Sequence, residues 1–238
     1  MVPIPTTRPE KTASARWADP GNWYNFLMES STKEKFSLVY RYGDGLYVNL
    51  TSRCPTACRF CIKFSLDYKY RGFNLKLPGE PSVKEILDAA PADLSVFREV
   101  VFCGYGEATF RIKEMEELAG AFRSRGAKRV RLNTVGLGNL INGRDVTPDL
   151  ARFLDAVSIS LNTVDPLRYE EIMRPLPEYR GKALASVLDF ISACVGRVPE
   201  TTVTAVEGTA PDADAVRRAA EERGARFVLR PFLAEDAG

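Results

Sequence analysis

The chain contains no histidine, which excludes every catalytic scheme or metal site that depends on an imidazole. Cysteine is scarce and odd in number, five in 238 residues, so a disulfide framework of the secreted miniprotein kind is excluded too. No run approaches the roughly 20 apolar residues of a membrane span. The opening MVPIPTTRPEKTASARW lacks the apolar core of a secretory signal, and the expected location is the cytoplasm. Charge of one sign is also missing. Lys and Arg number 33 against 31 Asp and Glu, a net +2 that argues against general nucleic-acid binding. The basic residues between Arg123 and Arg131 read as a solvated face.

What is present is an ordinary globular composition, 45% apolar and 27% charged, with length for one large domain or two small ones. Residues 1–40 read as an irregular lead segment, Pro-, Thr- and Lys-rich, with an aromatic knot at Trp23, Tyr24 and Phe26. Residues 41–238 read as one domain with no internal linker. Short β-branched or aromatic runs occur at Leu46–Leu50, Val100–Cys103, Val130–Leu132, Ala156–Ile159, Thr202–Val206 and Arg226–Leu229. Helix-like stretches follow them: Ser82–Ala90, Lys113–Arg125, Thr147–Leu154, Asp165–Met173, Lys182–Val195 and Pro211–Arg223. Pro148 and Pro166 stand where a first helical turn favours proline, and Gly126 and Gly224 where helices end. Strand–helix alternation implies parallel strands with helical crossovers. Six such units fall short of the eight of a full TIM barrel, so the expected fold is α/β, an open partial (β/α)6 barrel with outer helices.

The first strand runs into Thr51-Ser52-Arg53-Cys54-Pro55-Thr56-Ala57-Cys58-Arg59-Phe60-Cys61. Three thiols at C-x3-C-x2-C, at the carboxyl end of a barrel strand, suit iron–sulfur or zinc chemistry. A closed zinc site or an electron-transfer cluster takes four protein ligands, and without histidine the fourth would have to be Cys103 or Cys194. Three thiolates alone leave one iron of a cubane open, as catalysis requires. Both readings stand at this level, as does a chance crowding of buried cysteines. Cys103 and Cys194 lie in apolar runs and read as small core residues.

Cys54, Cys58 and Cys61, with the aromatic Phe60 before the last, resemble the radical S-adenosylmethionine (radical SAM) signature. The second strand ends in Cys103-Gly104-Tyr105-Gly106-Glu107-Ala108-Thr109, similar to the Gly-Gly-Glu-Pro element of that family. The third ends in Asn133-Thr134-Val135-Gly136, and the fourth in Ser158-Ile159-Ser160-Leu161-Asn162, similar to its Thr-Asn-Gly and Ser-Leu-Asp elements. The runs VVFCGYGEAT, RLNTVGLGNLINGRDV and AVSISLNTVDPLRYEEIMRP resemble the TatD-associated subgroup, a label that identifies no reaction.

The resemblance implies a [4Fe–4S] cluster on Cys54, Cys58 and Cys61 whose free iron chelates SAM, and reductive cleavage to a 5′-deoxyadenosyl radical that abstracts hydrogen from a substrate. It implies that Phe60 packs near the adenine, and that Gly104, Tyr105 and Gly106 let the backbone approach the methionine end, braced by Glu107 and Thr109. Asn133 and Ser158 would belong to the cofactor site, Ser160 and Asn162 would bond the ribose or the SAM carboxylate, Thr134 would point to SAM or substrate, and Arg174 would pair with the SAM carboxylate. The implied partners are a flavodoxin- or ferredoxin-like one-electron donor and a peptide, protein or nucleotide substrate, with no membrane. Two positions depart from the pattern: Ala108 replaces the usual Pro, which should loosen the turn, and Val135 replaces an Asn. A non-catalytic iron–sulfur carrier and a zinc-stabilised binding module are the competing classes.

Overall fold

The computed structural model describes residues 36–232, so the aromatic knot of the lead segment lies outside the described residues. Nine strands are present among them: β1 (Val39–Tyr42), β2 (Gly45–Val48), β3 (Lys69–Tyr70), β4 (Phe73–Asn74), β5 (Glu99–Phe102), β6 (Val130–Thr134), β7 (Ala156–Ser160), β8 (Glu200–Val206) and β9 (Arg226–Arg230). The helices are α1 (Ile62–Ser65), α2 (Val83–Ala89), α3 (Ile112–Ser124), α4 (Gly138–Asn142), α5 (Thr147–Leu150), α6 (Pro166–Met173), α7 (Ala183–Cys194) and α8 (Ala213–Glu221).

One sheet runs in the order β1-β2-β5-β6-β7-β8-β9. Every neighbouring pair from β2 to β9 is parallel, and the sheet is not closed. These parallel strands are the six expected from the sequence. The addition is β1, which folds back antiparallel on β2 with Tyr40 opposite Tyr47. Also unforeseen is the β3–β4 hairpin, whose turn places Arg71 and Gly72 both in the left-handed region, as a tight hairpin requires.

Local chemistry accounts for the helix ends. Ser82 and Glu85 close a capping box on α2, and Asp165 caps α6 by accepting from the Arg168 amide, with Pro166 in the first turn. Gly126 and Gly224 adopt φ of +92° and +79° just past α3 and α8, where a side chain would be strained.

Strand periodicity then divides the sheet into two faces. Leu46, Val48, Val100, Phe102, Val130, Leu132, Val157, Ile159, Val203 and Ala205 point outward. They merge with Met115, Leu118 and Phe122 of α3 and Val187, Phe190 and Ile191 of α7 into one buried cluster. The alternate residues, among them Tyr47, Glu99, Arg131, Asn133, Ser158, Ser160, Thr202 and Thr204, face inward, paired across the strands in register. In a flat sheet β5 and β9 would lie four strand spacings, roughly 19 Å, apart. Arg230 at the end of β9 is nevertheless within electrostatic reach of Cys103, just beyond β5, and of Tyr47 on β2. The sheet is therefore curled into a partial barrel whose inner face encloses a lumen.

Candidate active site

The cysteine loop leaves β2 and is held from both sides. On one side Thr51 Oγ1 and Arg53 Nε both donate to Glu80 Oε1, at 2.7 and 3.0 Å, and the Glu107 amide donates to the Arg53 carbonyl at 2.7 Å. Arg111, almost buried, donates to the carbonyls of Leu50 and Pro81. On the other side the loop pairs with the chain that leaves α6. Ala57 N donates to Arg174 O, Arg59 N to Ile172 O, and Leu176 N to Pro55 O, all within 3.0 Å. These bonds fix the backbone of residues 55–59 as a short bridge pinned at Thr56 and Pro175.

Thr56 also sets two of the thiols. Its hydroxyl lies 3.5 Å from Cys54 Sγ and 3.3 Å from Cys58 Sγ, while the Cys61 amide donates to the Cys58 carbonyl. All three cysteines are free and half-buried. Burial pushes the Cys54 thiol up, partly offset by Thr56, and pushes the Cys58 thiol up to about 12 for the same reason. Among the described residues no three His, Cys, Asp or Glu side chains converge as the ligands of a single ion do.

The glycine turn after β5 abuts this loop. A Cβ on Gly104 would fall 2.2 Å from Asn49 Oδ1, and one on Gly106 would fall 2.2 Å from the Thr51 carbonyl and 2.6 Å from that of Arg53. The space that both glycines leave is filled by the chain itself, at the root of the cysteine loop. Glu107 is fully buried and ties neighbouring loops together. Its Oε1 accepts from the Thr109 amide and from the hydroxyls of Thr109 and Thr134, and its Oε2 from the Val135 amide at 2.8 Å. Burial raises its carboxyl, and these four donors oppose the rise. The turn at Ala108 is capped by Glu107, and Ala108 packs into the core. Val135, lacking the amide of an Asn, still contributes its backbone N–H to Glu107.

The remaining sequence-predicted residues separate into two groups. Asn133, Ser158 and Ser160 lie on the inner face and are part-exposed to the lumen. Thr134, Tyr105 and Asn162 are engaged inside the protein. Thr134 donates to Glu107 and accepts from the Gly136 amide. Tyr105 donates to the Lys69 carbonyl and meets Tyr68 edge-on at 5.7 Å, steadying the β3–β4 hairpin beside Cys61. Asn162 is buried, accepts from the Val206 amide and donates to Ser160 Oγ and Met173 Sδ, linking the ends of β7, β8 and α6. Phe60 packs with part of its ring against the main core. Arg174 caps α6 at φ +47° and is exposed; its carbonyl, rather than its guanidinium, holds the cysteine loop.

Cys103 requires correction. Its apolar run places it in the core by sequence, as it does Cys194, and Cys194 is buried there. Cys103 is half-buried on the inner face beside Asn133, because it continues the alternation of Glu99 and Val101 rather than that of Val100 and Phe102. The moorings at Glu80, Arg111 and residues 172–176 were missed altogether. No local signal reports backbone pairing between a loop and a helix end more than a hundred residues away.

Comparison with known families decides the class. The model of the Radical SAM superfamily matches residues 48–222, most of the chain, including the cysteine loop and the ends of β5, β6 and β7. The chain belongs to the radical SAM superfamily. Members of this superfamily are enzymes that use a [4Fe–4S] cluster and SAM. The match reaches the superfamily and no subgroup within it.

Three solved radical SAM structures share the fold. TYW1 with a lysine-pyruvate adduct superposes with a TM-score of 0.54 at 15% identity, over 82% of this chain and 67% of its own. The FeFe-hydrogenase maturase HydG from Carboxydothermus hydrogenoformans gives 0.57 at 14% identity, over 80% and 44%. Native anSMEcpe with bound AdoMet gives 0.53 at 20% identity, over 79% and 51%. The chain thus spans from about half to two thirds of the length of these neighbours. No curated protein sequence matches it. Among the described residues no helix is long and apolar enough to cross a membrane.

The residues present fit an iron–sulfur cluster. The donor set is three thiols on one loop with no imidazole to divert it toward a mixed zinc site. Tyr169 adds an independent observation. It is fully buried on α6 within electrostatic reach of Cys58, and its hydroxyl has no hydrogen-bond partner among the described residues. A phenol O–H so placed lacks an acceptor, and a thiolate or sulfide carrying cluster charge is one.

Proposed function

We propose that Cys54, Cys58 and Cys61 bind the three protein-ligated irons of a [4Fe–4S] cluster and that residues 41–238 form the catalytic domain. The observation that carries this reading is the C-x3-C-x2-C loop at the mouth of the partial barrel, clamped between the Gly104–Glu107 turn and the carboxyl end of α6. With SAM bound, such a cluster supplies one-electron chemistry and a 5′-deoxyadenosyl radical able to take hydrogen from a substrate.

The chain supplies position and shelter. Thr56 fixes the spacing of two sulfurs, and the clamp holds the loop against recoil when its ligands gain charge. Glu107 locks the β5 and β6 loops to one another, and Asn133, Ser158 and Ser160 stay part-exposed on the inner face, where they can meet a ligand. Phe60, with part of its ring free, offers a stacking edge for the adenine, and the exposed Arg174 guanidinium suits the SAM carboxylate. A flavodoxin- or ferredoxin-like protein is the electron donor in this reading, and the substrate is a peptide, protein or nucleotide that enters the unclosed side of the sheet.

The test is anaerobic reconstitution with iron and sulfide, followed by electron paramagnetic resonance of the reduced protein with and without SAM and assay of 5′-deoxyadenosine. The expected result is a cubane signal that changes with SAM and slow cleavage under dithionite, both lost in Cys58→Ser. Bound zinc, or a cluster indifferent to SAM with no cleavage product, would overturn the assignment in favour of a metal-stabilised binding or electron-transfer protein.

A further inference from the structure

The inner wall carries more arginine than acid. At its foot Glu99 is shared by Arg131 at 2.7 Å and Arg129 at 3.4 Å, and Glu200 by Arg129 and Arg226, each at 2.6 Å. Every carboxylate of that layer is thus occupied twice. Arg230, near the mouth on β9, has no carboxylate partner among the described residues. Strand register sets its direction: Arg226, Val228 and Arg230 alternate with Phe227, which turns outward to the core, and Arg226 reaches Glu200 on the inner face.

The groups facing Arg230 are Cys103, Arg131 and Tyr47, reached across the curl of the sheet, and Arg131 repels it. Arg230 is exposed, yet the concave wall around it removes part of its hydration, which is the larger influence on this guanidinium and also disfavours its charge. A cation in a concave, partly desolvated wall beside a like charge is unfavourable until an anion joins it. The wall is open to receive one: Val228, on the same face, is 47% exposed. Ser160 and Thr202 are part-exposed on neighbouring strands of the same face, and Ser160 accepts from Asn162, which leaves its own O–H free to donate.

We propose that the lumen takes a substrate bearing a carboxylate or phosphate, whose oxygens seat on Arg230 with the inner-face hydroxyls of β7 and β8 beside them. A planar guanidinium grips either group through two parallel hydrogen bonds, and a concave wall with excess positive charge concentrates anions at its mouth. The inference rests on the radical SAM reading of the same site and narrows its substrate to an anionic class.

The experiment is calorimetric titration of the reconstituted, SAM-loaded protein with inorganic phosphate and, separately, with acetate, in wild type, Arg230→Gln and Arg230→Lys. One of the two anions should bind the wild type more tightly than chloride does, which distinguishes phosphate from carboxylate. Binding should weaken about tenfold or more in the Gln variant and less in the Lys variant. Arg230 sits on an edge strand with its side chain exposed, so both variants should keep the fold, which a thermal melt verifies. Equal anion binding by wild type and Arg230→Gln, or none in the wild type, overturns the proposal. A matching loss of SAM affinity in Arg230→Gln also overturns it, by assigning the arginine to the SAM carboxylate. Production of 5′-deoxyadenosine by the wild type keeps these outcomes separate from failure of the radical SAM reading itself.

Discussion

Leu132 and Asn133 are neighbours on β6 and look in opposite directions. Leu132 joins an apolar cluster shared with α3 and α7, while Asn133 stands in a lumen beside Arg131, Ser158 and Cys103. The outer face is close-packed and gains its stability from the removal of apolar area from water. The inner face is polar, ion-paired at its foot and open at its mouth. Apolar packing and polar groups therefore occupy alternate residues of the same strands, and a change confined to one face is expected to have little effect on the other.

The sharpest way to break that separation is at Gly106, where both depend on one atom. An Ala there drives Cβ into two backbone carbonyls at the root of the cysteine loop, neither of which is a flexible side chain. Gly106→Ala should cost about 4 kcal/mol and also abolish cluster retention, read by denaturant unfolding and iron content. Retention of a full cluster at unchanged stability would contradict the observed packing.

A substitution confined to the outer face should test the other half of the comparison. Leu132→Ala leaves a cavity beneath helices that cannot fully close it, and should lose about 3 kcal/mol. Iron content and the reduced-cluster spectrum should be unchanged at temperatures where the variant is folded. A changed spectrum would show that the two faces are coupled.

The smallest effect belongs to the foot of the inner face. Burial pushes the Glu99 carboxyl up, but hydrogen bonds from Arg131, its charge and that of Arg129 more than reverse this, holding it below the ordinary carboxylate range. A depressed carboxyl contributes stability above its unfolded value and loses it as pH falls through the folded one. Glu99→Gln should therefore cost about 1 kcal/mol near neutrality, discounted for partial exposure, with wild type and variant converging below about pH 4. Stability measured against pH checks this; a difference that persists into acid would mean lost packing rather than lost charge.

Much of the fold was visible in local pattern. The helices α2 and α6 begin at the caps Ser82 and Asp165, and α3 and α8 are followed by Gly126 and Gly224, because caps act within one turn of chain. The parallel strands were visible as β-branched runs. The strand β1 was not, since its VYRY carries no signal strong enough to separate it from the lead segment, and it gains its order by pairing with β2. At the site, the motifs identified the loops that meet but not which atoms face the lumen. Thr134 and Asn162 form internal cross-links that the motifs do not reveal, and Cys103 reads as core but faces inward.

The sequence alone determined that three thiols lie within eight residues of a chain with no imidazole, and the alternation of strand and helix that makes a parallel sheet. Both depend only on residues close together in the chain. The tertiary structure alone decided that Arg174 holds the cysteine loop by its carbonyl, that Glu107 joins two loops, and that Arg230 faces Cys103 across a lumen. Each of these depends on the curl of the sheet and the docking of distant backbone. Those come from the packing of the whole outer face, and no short stretch of sequence contains them.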